Sequence, residues 1–156
     1  MSLHIVFVNP EIPPNTGNIA RTCAATDTEL HLVKPLGFNI DDKAVRRAGL
    51  DYWPFVKLTV YESLEDFLRQ NSHRRKFLAT TKGGTRYTDI EFKDEDMILF
   101  GRETAGLPKD FIKENEDMAI RIPMSRDTRL RSFNLSNSAN IILFEGLRQL
   151  GFPGLL

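Results

Sequence analysis

Short runs rich in β-branched and aromatic residues alternate along the chain with stretches of helical periodicity, and that alternation constrains the fold more than any other feature. Leu3–Val8, Glu29–Val33, Val56–Tyr61, Lys76–Thr80, Met97–Phe100 and Met118–Ile122 read as strands. Asn15–Thr26, Asp41–Ala48, Ser63–Gln70, Pro108–Asn115 and Asn134–Leu150 read as helices. Such an order builds an α/β domain on a mostly parallel, Rossmann-like sheet, because parallel neighbours need long crossovers. Ser63 with Asp66 forms a variant capping box, and Pro108 suits a first helical turn, where a missing N–H is harmless. The 156 residues, 41% of them hydrophobic, support one core, and without repeats or linkers residues 1–156 read as one domain.

Basic and acidic side chains number 21 each, so net charge gives no pull toward a polyanion, and any such contact must come from local clusters. The apolar run Leu3–Val8, interrupted by His4, is too short for a leader peptide or a membrane helix. The lone cysteine, Cys23, excludes an internal disulfide and fits a reducing, cytoplasmic setting. His4, His31 and His73 stand far apart with no neighbouring ligands in a known pattern, so no metal is expected.

In an open α/β sheet, ligands bind beyond the carboxyl ends of the strands, which directs attention to three strand-to-loop junctions. The first runs from Asn9 to Arg21. Its prolines stiffen the loop, Asn15 can cap the next helix, and Gly17 and Arg21 share one helical face. An anion can sit over such a helix start and be gripped by Arg21; equally, the segment can be a plain capped helix with Arg21 solvated or paired to Glu11. The second junction is Gly101-Arg102-Glu103-Thr104-Ala105-Gly106-Leu107-Pro108. It is neither a P-loop nor a GxGxxG turn. Gly101 can bring its backbone against a ligand, and Glu103 can bond a ligand hydroxyl or a neighbouring arginine, while an ordinary glycine turn would look the same. The third junction follows Ile122, carries Arg126, Arg129 and Arg131, and enters the last helix at Ser132-Phe133-Asn134, where Asn134 or Ser136 can cap. That arginine cluster fits RNA phosphates or simple solvation. Ile141–Phe144 is apolar at consecutive positions, so the last helix needs cover on more than one face, from a second subunit or from full burial.

Taken together, Pro10–Asn18 with Arg21, Asp41–Tyr52, Gly101–Pro108 and Asn134–Asn137 resemble the motifs of the SPOUT-class RNA methyltransferases. The resemblance is nearest to the minimal forms that act on the tRNA wobble nucleotide, and it covers almost the whole chain. It implies a C-terminal deep trefoil knot, S-adenosylmethionine as cofactor, tRNA as partner (leucine tRNAs first) and a homodimer through the last helix. It places cofactor contacts at Ala79, Thr80, Gly101, Glu103, Ile122, Ser132 and Phe133. Arg21, Ser132 and Asn134 take the catalytic roles, and Arg46, Arg47, Arg129 and Arg131 meet RNA, with His73–Lys76 a further basic run. The chain departs from the pattern in a slightly longer loop around Thr128–Arg131 and in Phe144, where relatives carry tyrosine. The rival functions are methylation of ribosomal RNA and RNA binding without methyl transfer.

Overall fold

In the computed structural model, which describes residues 2–130 and 132–156 apart from the side chains of Gly49 and Leu50, the strands are β1 (His4–Val8), β2 (Glu29–Val33), β3 (Leu58–Tyr61), β4 (Lys76–Ala79), β5 (Thr85–Arg86), β6 (Met97–Phe100) and β7 (Ala119–Arg121). The helices are α1 (Pro13–Ala25), α2 (Lys43–Gly49), α3 (Leu64–Gln70), α4 (Lys109–Glu114) and α5 (Leu135–Gln149). The strands form one sheet in the order β3-β2-β1-β6-β4-β7-β5, and each pairing between them is parallel. Because all run the same way, Val8, Phe100, Ala79 and Arg121 end at one pole, and β6, β4 and β7 are immediate neighbours there.

Strand alternation divides the core. Ile5 and Phe7 of β1 join Ile19, Cys23, Ile98, Phe100, Ile142 and Leu143 on the face covered by α1 and α5. Val6 and Val8 point the other way, to Phe67, Leu78, Met97 and Leu99, with Leu107. Burial of every residue in β1 and β6 is the mark of a parallel strand covered on both faces.

Several boundaries differ from the sequence expectation for local reasons. Helix α1 begins at Pro13, so Asn15 lies inside it and does not cap it. Pro108 sits before α4 with extended backbone (φ −54°, ψ 134°), since its ring fixes φ but leaves ψ free. Ser63 does cap α3 by accepting from the Asp66 amide at 3.0 Å, whereas the Asp66 carboxylate turns to Arg69 and Gln70. A 3-10 turn over Leu50–Phe55 delays β3 to Leu58. Strand β5 gave no sequence signal, being two polar residues.

Candidate functional site

The first and second junctions buckle onto each other. Glu103 accepts hydrogen bonds from the amides of Glu11 (2.8 Å) and Ile12 (2.9 Å) and from Asn15 Nδ2 (2.9 Å). In return Glu11 accepts from the Thr104 amide (3.0 Å) and hydroxyl (2.7 Å), which holds its carboxyl below the usual carboxylate range. The start of α1, which lacks a side-chain cap from Ile12, is therefore closed by a carboxylate from a distant loop. An external anion is not needed there, and Glu103 bonds neither an arginine nor an open space. Glu11 is engaged by Thr104 and leaves Arg21 unpaired to it.

Asn15 extends the buckle to the third junction. Its Oδ1 accepts from Asn134 Nδ2 at 3.0 Å and from the Ser136 hydroxyl at 3.5 Å. That single Ser136 proton is shared, mainly with Asn134 Oδ1 (2.7 Å), and the same oxygen caps α5 by accepting from the Asn137 amide (3.2 Å). Asn15 is 4% exposed and Ser136 3%, so the network is shielded, while Asn134 reaches the surface. One buried amide thus links loops some hundred residues apart, a role that residue spacing cannot reveal.

Gly101 has a different reason to be glycine from the one expected. A Cβ there would lie 1.9 Å from the Gly106 carbonyl carbon and 2.0 Å from the Leu107 nitrogen. The missing side chain admits the loop's own backbone. Gly106, at φ +73°, closes that loop by donating to the Arg102 carbonyl (2.8 Å). Gly37, which sequence reasoning missed, plays a similar part: its Cβ would lie 2.8 Å from Glu11 Cα, where its amide donates to the Pro10 carbonyl. Gly17 is buried within α1 and opens no surface for an anion.

Ala79 ends β4 and Thr80 follows it, Gly101 follows β6, and Ile122 follows β7, so these positions sit at adjacent strand ends. The Thr80 amide donates to the Ile120 carbonyl (2.9 Å), and its hydroxyl to the Lys82 carbonyl (2.9 Å). Ser132 and Phe133 are exposed, Phe133 at 46%.

The arginines separate into open and engaged groups. Arg21 is exposed, makes no ion pair among the described residues, and lies over the Tyr52 ring at 4.8 Å. Arg46 stacks on Trp53 (4.9 Å) but is also paired to Asp41 (2.8 Å). Arg47 is exposed. Arg129 is paired to Asp127 (2.6 Å), and Arg131 lies outside the described residues. The basic run His73–Lys76 is at the opposite pole, where β4 begins; His73 is exposed, and the other three are engaged internally, Arg74 with Asn71 and Glu95. Arg75 grips Asp96 and the Glu91 carbonyl, and Lys76 donates to the Asn71 and Arg74 carbonyls.

That amino pole also gathers histidines that looked unrelated in sequence. His4 Nδ1 meets His31 Nε2 at 2.8 Å, and His4 Nε2 meets Glu95 at 2.6 Å, with Glu29 at 3.4 Å. On α5, Ile142 and Leu143 are buried in the subunit's own core, and Phe144, 45% exposed, is the aromatic left on the surface. Among the described residues no helix is long and apolar enough to cross a membrane.

The profile of the SpoU rRNA Methylase family matches residues 2–144. The tRNA (cytidine(34)-2'-O)-methyltransferase of Escherichia coli (strain K12) is 46% identical over 153 residues, covering 97% of this chain and 96% of that protein. A structure described under 2-OH methylation of C/U34 on tRNA superposes with a TM-score of 0.90 at 38% identity, over 96% of this chain and 97% of that one. An AdoMet-bound rRNA methyltransferase from Sinorhizobium meliloti matches at TM-score 0.84 and 25% identity, over 96% of this chain and 57% of the longer one.

Proposed function

The chain belongs to the SpoU rRNA methylase family, and from that premise we propose that it methylates the ribose 2′-oxygen of nucleotide 34, cytidine or uridine, in tRNA. The observation that carries this reading is the joining of all three junctions through Asn15 at one pole, in a chain that matches an enzyme of that activity along its length. S-adenosylmethionine is the methyl donor. The set formed by the strand-end positions Ala79, Thr80, Gly101 and Ile122 with Ser132 and Phe133 from the segment entering α5 has apolar surface, hydroxyls and main-chain groups but no charged side chain. That donor set suits a neutral aromatic base and a sulfur-bearing chain better than a phosphate. When bound, the cofactor supplies a methyl already activated for in-line attack by the ribose oxygen.

The chain's own residues position and stabilise. Asn134, fixed by Asn15, Ser136 and its cap to α5, orients the nucleotide together with the exposed Ser132. Arg21 holds a neighbouring phosphate and stabilises charge developing on the 2′-oxygen. It does not act as a base, because a guanidinium keeps its proton far above neutral pH. Glu103 acts through the loops it ties together rather than on the ligand. Arg46, Arg47, Arg129 and Arg131 contribute RNA contacts, with Arg47 the exposed member of the first pair.

The remaining parts of the proposal are architectural. The C-terminal part forms a deep trefoil knot, a reading supported by the way the later strands β6 and β7 flank the earlier β4. Two copies pair through α5, supported by the exposed Phe144. The enzyme works in the cytoplasm on a preformed anticodon loop, leucine tRNAs foremost. Incubation with labelled S-adenosylmethionine and total tRNA, followed by nuclease digestion and mass spectrometry, should place a ribose methyl at position 34. Label appearing in ribosomal RNA supplied in a parallel incubation but not in tRNA, or in neither, would overturn the assignment.

A further inference from the structure

Arg21 is the one charged side chain among the proposed catalytic residues, and the Asn15 network does not touch it, which raises the question of what holds it in place. Its only recorded partner among the described residues is the Tyr52 ring, 4.8 Å from the guanidinium carbon. The ring belongs to the 3-10 turn Leu50–Phe55, which packs against α1 and places Trp53 against the core. Tyr52 is therefore set by the fold and not by the arginine. The next residue of the same turn provides a contrast. Trp53 carries Arg46 in the same way, but Arg46 is also neutralised by Asp41 at 2.8 Å. Arg21 has no such acid partner among the described residues, and Glu11 is taken up by Thr104.

We infer that Tyr52 is a positioning residue for Arg21: its ring covers one face of the guanidinium and leaves the in-plane N–H donors free for RNA. This rests on the role given to Arg21 above. A guanidinium stacked face-on over a ring stays attracted to it while its five donors point outward in its own plane. An exposed arginine without such a support samples many rotamers and must lose that freedom when it engages a phosphate. The ring removes most of that loss beforehand.

Single-turnover methyl transfer to tRNA, with enzyme and tRNA saturating, tests the inference. Tyr52→Leu should slow the transfer by roughly tenfold, as a misaimed positioning group does. Melting temperature and S-adenosylhomocysteine affinity should stay at wild-type values. Tyr52→Phe and Tyr52→Trp keep a ring and should retain most of the rate. Combining Tyr52→Leu with Arg21→Ala should be no slower than Arg21→Ala alone, because one residue acts through the other. A wild-type rate for Tyr52→Leu beside an impaired Arg21→Ala would overturn the inference and leave the Arg21 role standing. A loss in Tyr52→Phe equal to that in Tyr52→Leu would also overturn it, by assigning the effect to the hydroxyl. A wild-type rate for Arg21→Ala would remove both.

Discussion

The two poles of the sheet are both built on buried polar side chains, yet they are wired in opposite ways. At the amino pole the groups form one chain whose two ends are joined by Arg74, which donates to Asn71 Oδ1 (3.1 Å) and pairs with Glu95 (3.6 Å). Asn71 donates to the Tyr61 hydroxyl (3.2 Å), which meets His31 Nδ1 (2.9 Å); His31 Nε2 meets His4 Nδ1 (2.8 Å), and His4 Nε2 meets Glu95 (2.6 Å). Where neutral His4 donates to Glu95, its other nitrogen accepts from His31, whose remaining nitrogen accepts from Tyr61, and each proton has one place. At the carboxyl pole the network joins loops instead of strands, and it stops short of the rim. Asn15, Glu103 and Ser136 satisfy one another, while Ser132, Asn134 and Arg21 face outward. A closed network pins the sheet; an open one presents its outer members to a substrate.

The comparison breaks most visibly at Gly101. Because its Cβ would overlap the Gly106–Leu107 backbone, Gly101→Val should destabilise the protein by several kcal/mol or prevent folding, beyond the usual range for a point change. Thermal unfolding checks this, and a stable variant that merely loses cofactor would return Gly101 to direct ligand contact.

The amino pole should reveal itself through pH. Burial, then His4 and Arg74, push His31 down from 6.5 to about 3, so the folded protein refuses a proton that the unfolded chain accepts below 6.5. The stability from a neutral His31 is full above pH 6.5 and is lost as pH falls toward 3, by on the order of 1.4 kcal/mol per pH unit. Glu95, held below the usual carboxylate range by its hydrogen bond to His4, adds to the loss in more acid solution. His31→Phe should flatten the slope of stability between pH 6.5 and 5 in denaturant titrations. An unchanged slope would mean that the chain is not the pole's acid-sensitive part.

The smallest expected effect on the fold is at Phe144. Being 45% exposed, it should tolerate Phe144→Glu with a change of about 0.5 kcal/mol in subunit stability, while sedimentation shows the dimer gone. A dimer that persists places the interface elsewhere. Ile142, 1% exposed, cannot serve for this test because charging it attacks the core directly.

These contrasts also mark what the sequence could disclose. Periodicity located the main strands, and the loops between them pointed to the carboxyl pole, because apolar runs and strand ends are local features. What it missed depends on distant partners. Asn15 reads as a cap from its neighbours, but Glu103 closes that helix from 88 residues away in sequence. Gly101 reads as a ligand-facing glycine until the Gly106 backbone occupies the space. His4 and His31 look unrelated until adjacent parallel strands bring them together. The basic run His73–Lys76 reads as an RNA patch from its charge alone, while Arg75 and Lys76 are bonded within the fold at the amino pole.

The central claim is that the carboxyl pole carries the chemistry, with the open network presenting Asn134 and Arg21 supplying charge from outside that network, and single-turnover kinetics of Arg21→Ala test it most directly. S-adenosylhomocysteine affinity, measured by calorimetry, should be nearly unchanged, while methyl transfer to tRNA at saturating enzyme falls by ~10²-fold or more. Arg21→Lys should recover only part of that rate, since an ammonium lacks the planar two-point grip. A wild-type rate for Arg21→Ala would contradict the account and leave Arg21 a solvated arginine resting on a tyrosine.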